Sequence, residues 1–334
     1  MLQKLLNECT FKLTITPVDP LLIKSGDVTV GGADMTPVRT WRNGKQEIFL
    51  PGSSLKGVVR SHAERVVRTI KDGIVCMPYK DVEKEQGCPV AKDYEHVFCG
   101  NKFKLRRGKP LNEELSNEQV YSNSCPACRL FGSTDFIGRI AISDAYLKEG
   151  SEPAIERRDG VGIDRFTGGA AHRAKFELEV VSSGIFETTV HLRNFEIWQL
   201  GMVAVVLQDF REELIRIGSG KSRGLGKVRG EISEFKIAFL KSSKAEEMPE
   251  NEIWGLGKFL AGEQENYGTT PDDVLTLDVS LQHETNGIRV VLPLEGETLN
   301  RVLKKATTAF IEKMNIWSVP ETMRFSHVKR DYKD

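Results

Sequence analysis

Residues 11–240 alternate between two hydrophobic periods in an order that leaves few folds open. FKLTITPVDPLLI (11–23) puts Phe11, Leu13 and Ile15 on one side at period two, which marks a half-buried strand. GSSLKGVVRSHAERVVRTI (52–70) then switches to helical spacing through Leu55, Val58, Val59, Val66 and Val67, behind serines suited to a helix start. RIAISDAYL (139–147), AKFELEVV (174–181) and FETTVHL (186–192) read as strands, the last two joined by a short Ser-Ser-Gly turn. NFEIWQLGMVAVVLQDFREELIRI (194–217) is helical, and GKVRGEISEFKIAFL (226–240) returns as a strand. The order β-α-β-β-α-β predicts an α+β fold with a ferredoxin-like core. RNA-recognition modules share that arrangement with many unrelated proteins, so architecture alone does not fix function.

Two excursions interrupt the core. Residues 71–138 hold five of the six cysteines and end in CPACRLFG. Residues 148–173 are polar, rich in glycine and arginine, and too long for an ordinary connection. The expected organisation is a core over 1–240 carrying both insertions, then a C-terminal extension over 241–334. That extension begins with the polar KSSKAEEMPENE and has a helical candidate at 299–314. Lys plus Arg equals Asp plus Glu at 47 each, so any nucleic-acid face must be a local patch on a neutral molecule. No run approaches the roughly 18 apolar residues of a membrane helix, and MLQKLLNECTFKLTI lacks a signal-peptide layout. The expectation is a cytoplasmic protein without a membrane partner.

One local patch stands out. GSGKSRGLGKVRG (218–230) concentrates glycine and cations in a helix-to-strand loop. It is not a Walker A motif, because Ile215 stands where the first glycine belongs. It is not a dinucleotide fingerprint either, since Arg223 takes the place of the last glycine. What remains is bare backbone at Gly218, Gly220 and Gly224 beside Lys221, Arg223 and Lys227. Such a loop suits phosphodiesters without reading bases; the competing explanation is a solvated turn that needs glycine for its dihedrals.

Cys125-Pro-Ala-Cys128 is a CxxC knuckle, with Cys76, Cys88 and Cys99 upstream in the same insertion. Zinc favours a closed tetrahedron of thiolate or imidazole ligands, so four of these five cysteines are expected to hold a structural Zn2+. His96, upstream of Cys99, is an alternative ligand. A disulfide is disfavoured in the cytosol, and Cys9 belongs to the core of the first strand. Catalytic patterns are scarce: neither GxSxG nor HExxH occurs. The loop GDVTVGGADMTPVR (26–39) offers Asp27 and Asp34, residues that more often simply form turns. His62 and His172 are ordinary partners for carboxylates or solvent.

The segments LPGSSLKGVVR, CPACRLFGS, GVGIDRFTGGA and GSGKSRGLGKV, taken in order, resemble the RAMP superfamily of CRISPR proteins. In particular they resemble backbone subunits of type III effector complexes, of the larger zinc-containing, type III-D-like kind. The resemblance implies a modified RNA-recognition fold lying along CRISPR guide RNA, next to other effector subunits and copies of itself. It implies that the first helix (Ser53, Ser54, Lys56, Arg60) and the glycine-rich loop contact the guide backbone. The excursion at 148–173 corresponds to a thumb inserted into the guide–target duplex, which gives Arg157, Arg158, Arg165 and Arg173 a role on RNA. Asp34 falls where cleaving members carry their catalytic aspartate. The implied reaction is cleavage of base-paired target RNA by 2′-OH attack with a divalent cation such as Mg2+. A non-cleaving scaffold, or less favourably a guide-processing endoribonuclease, remains the alternative.

Overall fold

A computed structural model describes residues 4–25, 33–76, 99, 116–241, 247–260 and 262–318. Strand β1 (Asn7–Pro17) is followed by a hairpin of β2 (Arg39–Arg42) and β3 (Lys45–Ile48), and then by helix α1 (Gly52–Ile70). Short helices α2 (Asn117–Ser122) and α3 (Pro126–Phe131) precede strands β4 (Ile140–Ile142) and β5 (Tyr146–Leu147). A ribbon of β6 (Ala154–Ile163) and β7 (Ala170–Ser183) leads to β8 (Phe186–Arg193), α4 (Ile197–Arg211) and β9 (Val228–Leu240). The rest comprises β10 (Glu252–Trp254), α5 (Leu256–Phe259), α6 (Gln264–Tyr267), β11 (Val274–Thr276), β12 (Glu284–Asn286), β13 (Arg289–Pro293) and α7 (Gly296–Ile316).

The main sheet is antiparallel, in the order β12-β13-β9-β1-β8-β4, with β5 also on β8. Period two decides its faces. Cys9, Phe11, Leu13 and Ile15 of β1 point inward together with Phe186, Thr188, Val190 and Leu192 of β8. On β9 the inward phase changes from Val228 and Gly230 to Phe235, Ile237 and Phe239. A register shift opposite Thr10 and Lys12 accommodates the change, and Glu234 sits there at φ 52°. The outer face is a charge ladder: Lys12 meets Glu234 at 2.7 Å and Glu187 at 3.4 Å, while Glu8 meets His191 and Arg289.

Helix α4 is apolar on nearly every side because it lies between the sheet and α7. Its start is fixed by a capping box between Glu196 and Gln199. Helix α7 presents Val302, Ala306, Phe310 and Met314, one residue per turn, toward it. The chain after 241 is therefore part of the same structure: β13 extends the sheet beyond β9, and Phe310 and Trp254 share one core with Phe11. Asn7 ties both halves together, donating through Nδ2 to the carbonyls of Phe195 and Trp254. Asp273 does the same from the other side, accepting from the Ile197 and Gly257 N–H groups. Its enclosed carboxylate is pushed up to about 7, by burial first and then by the nearby Glu196 charge.

Two sequence expectations need correction. Residues 174–181 do not form a hairpin with 186–192; β7 pairs with β6 from Ser183↔Ala154 outward, and Gly184 and Ile185 carry the chain on into β8. The excursion at 148–173 is accordingly half of a longer two-stranded ribbon ending at Ser183. The helix expected over 194–217 stops at Arg211, where the chain turns through Glu213 at φ 60°.

Candidate nucleic-acid interface and metal centre

Helix α1 begins where backbone must touch backbone. A Cβ on Gly52 would lie 2.3 Å from the Ile142 carbonyl oxygen, and the Gly52 N–H donates to Asp144 Oδ1 at 2.7 Å. This seating turns Ser54, Gly57, Val58 and Ser61 toward the glycine-rich loop. The loop is pinned from its own side: Gly218 has φ +79°, its Cβ would lie 2.2 Å from Leu22 O, and the Ser219 N–H donates to that same oxygen. Together with Ile23 and Lys24 these residues line an open pocket of about 410 Å³, with Gly218, Ser219 and Lys221 forming its far wall. Two motifs that lie over 150 residues apart in sequence thus form one site.

Among the described residues the charge in this site has no carboxylate partner. Burial, followed by the positive field of Arg65, holds the Lys221 ammonium below its ordinary range. Lys56, which lines the neighbouring pocket beside Arg60 and Cys128, is lowered by burial and by Arg60. Among the described residues no carboxylate pairs with Lys24, Lys56 or Lys221. An incoming anion would relieve both the repulsion and the lost hydration. Lys24 and Arg65 were not singled out in the sequence; only the folding of 21–24 against the loop brings Lys24 in, and Arg65 lies on the cavity side of α1.

The other expected RNA contacts divide. Ser53 is exposed at the start of α1. Arg223 lies over the Phe176 ring of the ribbon at 5.5 Å, and Gly220 and Gly224 adopt φ +71° and +75° around it. Lys227 is neutralised by Glu213 at 2.7 Å, which makes it a strut of the loop. On the ribbon, exposed Arg157 pairs with half-buried Glu179, and Arg158 pairs with Glu156 at exposed positions where such pairs are weak and exchangeable. Arg165 stands in the tip, a turn built by Asp164 Oδ1 accepting from the Phe166 and Thr167 N–H groups, with the Phe166 ring fully exposed. Arg173 sits farther down β7 at φ 58°. Asp34 lies at the ribbon's base, where its Oδ2 accepts from the Glu177 N–H at 2.8 Å beside the Met35–Leu178 bridge. Asp27 falls outside the described residues.

The open sheet face is excluded as a stacking platform. Its β1, β8 and β9 positions carry Glu8, Thr10, Lys12, Thr14, Glu187, Thr189, His191, Glu231 and Lys236; none is Phe, Tyr or Trp, and the His191 imidazole is held by Glu8 at 2.9 Å.

Cys76, Cys99, Cys125 and Cys128 converge so that their sulfurs all lie within 4.8 Å of one another, every one buried. Cys88 and His96 fall outside the described residues. Cys76 Sγ is 3.5 Å from Cys128 Sγ and 3.6 Å from Cys125 Sγ. These spacings are far too long for disulfides and close to the ~3.8 Å edge of a tetrahedron with 2.3 Å metal–sulfur bonds. The donor set therefore fits a metal ion such as zinc. Burial opposes ionisation of Cys125, but hydrogen bonds from Cys128, Cys76 and Cys99 outweigh it and lower that thiol. Cys76 and Cys128 are raised in turn, chiefly by their hydrogen bonds to Cys125; a divalent cation would lift that resistance. Cys9 stands apart in the core, where burial pushes its thiol up.

Helix α1 borders this cluster too. Arg60 Nη2 donates to Cys128 Sγ at 3.3 Å, Nη1 to the Gly132 carbonyl at 3.0 Å, and Nε to Glu64 Oε1 at 2.9 Å. Arg68 Nη2 reaches Glu64 Oε2 at 3.3 Å and the Cys76 carbonyl at 3.0 Å. His62 is occupied with Asp209 at 2.5 Å, clamping α1 to α4. His172 is exposed on the ribbon.

A model of the RAMP superfamily matches residues 14–229, from within β1 to the start of β9. The chain belongs to the RAMP superfamily. The matched span of this RAMP protein contains the cavity, the ribbon, Asp34 and all four clustered cysteines, whereas β13 and α7 lie beyond it. Membership supports a CRISPR-associated, RNA-binding role. No curated protein sequence matches the chain. Among the described residues no helix is long and apolar enough to cross a membrane.

Proposed function

We propose that this RAMP protein is a backbone subunit of a type III CRISPR effector complex, type III-D-like, that binds guide RNA and cuts paired target RNA. The observation that carries the reading is the cavity between α1 and the glycine-rich loop, lined by Lys24 and Lys221, with no carboxylate among the described residues paired to them. It suits one backbone phosphate of the guide. The strand order β9-β1-β8-β4, with α1 and α4 in the crossovers, is read as a ferredoxin-like core. The ribbon is its thumb, and the segment after 241 supports α4 and offers an outer surface to neighbouring subunits.

For cleavage, the target ribose 2′-OH attacks its own phosphorus while the P–O5′ bond breaks. The products are a 2′,3′-cyclic phosphate and a 5′-OH that takes up a proton. Asp34 is the base for the 2′-OH proton, and a thumb that unstacks the nucleotide beside it allows the in-line approach. A divalent cation such as Mg2+ would stabilise the phosphorane charge. The second reading, a scaffold without cleavage, draws on the Asp34–Glu177 hydrogen bond, which gives that carboxylate a structural task.

The test uses the assembled complex with guide and labelled complementary RNA. Asp34→Ala should bind target normally and cut it at least about 100-fold more slowly; equal cutting by wild type and variant would remove Asp34 from the mechanism. Lys221→Ala should weaken guide binding and reduce the salt slope by about 0.7, the value for one single-strand phosphate. An unchanged slope would mean that the cavity holds no phosphate.

A further inference from the structure

Arg60 was expected on RNA, yet its side chain is turned away from the glycine-rich loop. Three of its donors are taken by Glu64, the Gly132 carbonyl and Cys128 Sγ. One turn before and two turns after Arg60 along α1, Lys56 and Arg68 offer a comparison. Lys56 remains unpaired among the described residues, whereas Arg68 donates directly to the Cys76 carbonyl and also to the same Glu64. Residues 60, 64 and 68 thus form one i, i+4, i+8 row whose two ends hold Cys128 and Cys76.

We propose that the Arg60–Glu64–Arg68 row is the outer support of the cysteine metal centre, with Arg60 as its principal member. This assignment is independent of the RNA reading. A divalent ion held by four thiolates carries a net charge of 2−, which is costly in a buried site unless donors and cations face the sulfurs. Two backbone groups serve that purpose: the Cys125 N–H donates to Cys99 Sγ at 3.3 Å and the Cys128 N–H to Cys125 Sγ at 3.4 Å. Arg60 is the charged donor, directed at Cys128. Its bond to the Gly132 carbonyl also fixes the end of α3, so the knuckle cannot rotate away from the other two cysteines. Glu64, only 6% exposed, is tolerated inside because both guanidinium groups neutralise it, and it keeps them aimed in opposite directions. A lysine at 60 would keep the charge but could not serve three partners at once.

The test measures zinc directly on the full chain. Zinc-loaded wild type, Arg60→Gln and Arg60→Lys are titrated with a chromogenic chelator, and guide-RNA affinity is measured separately at saturating zinc. Arg60→Gln should lose zinc affinity about 10- to 100-fold, the usual effect of removing an outer-sphere partner. Arg60→Lys should fall between, and RNA affinity at saturating zinc should stay at the wild-type value. Unchanged zinc affinity in Arg60→Gln overturns the proposal, and a loss confined to RNA affinity overturns it in favour of a phosphate contact. Should Arg60→Gln fail to fold even with excess zinc, Arg60→Lys decides on the same two readings.

Discussion

Stripping the metal from the cysteine centre is expected to lower the thermal midpoint of the chain by roughly 6 °C. A ligand held at a free concentration a thousandfold above its Kd contributes about 4 kcal/mol to stability, and each kcal/mol moves a chain of this size by about 1.4 °C. The geometry argues for an effect at least this large. The four sulfurs come from three separate places, Cys76, Cys99 and the 125–128 knuckle, and all are buried. Without a cation, four sulfurs remain crowded together inside the core with no ligand to organise them. Calorimetry before and after dialysis against a chelator checks this. A midpoint that does not move would mean that the thiols pack adequately by themselves and that the site is not a structural metal centre.

Gly201→Ala should destabilise the fold by about 3 kcal/mol or more, although alanine is the better helix former. Gly201 sits in the middle of α4 at its crossing with α7. An added Cβ would lie 1.9 Å from the Ala306 carbonyl oxygen and 2.7 Å from Phe310 Cβ. The first obstacle is backbone, so relief requires α7 to move as a body, taking Val302, Phe310 and Met314 out of register with α4. Gly57→Ala on α1 is the control. Nothing lies within 4 Å of its added Cβ, and it should stabilise by about 0.5–1 kcal/mol. Urea melts of both variants separate packing from propensity. Equal shifts would show that the α4–α7 contact is looser than the structure has it.

Much of the fold is legible in the sequence because it depends on local period. Helix α1 spans the very residues, 52–70, at which helical spacing begins and ends; its amphipathic stripe carries it, while Pro51 takes the cap position expected of a serine and no side chain caps the start. The ribbon was missed because an alternating strand announces its two faces but not its partner. AKFELEVV suits β6 as well as β8, and the corner at Gly184 decides between them. The site follows the same division. Glycine-rich backbone and CxxC carry chemistry in short spans and can be read directly. Arg60 cannot, because an arginine one turn from a phosphate motif reads as a phosphate ligand until the knuckle folds back against it. Lys24 carries no signal at all in the chain and acquires one only by lying across from Lys221.

The strand order also limits how copies of this chain can associate. Among the described residues the main sheet ends in β12 on one side and β4 on the other, each of three residues, and β12 is wholly exposed. Neither terminus offers a length of unpaired backbone on which a second molecule could continue the ladder. The longer unpaired edge belongs to β6, where Glu156, Arg157, Arg158 and Asp159 follow one another and discourage pairing with a like strand. On the proposed reading, copies lined up along guide RNA would find no backbone seam among the described strands, and the RNA would set the length of the row.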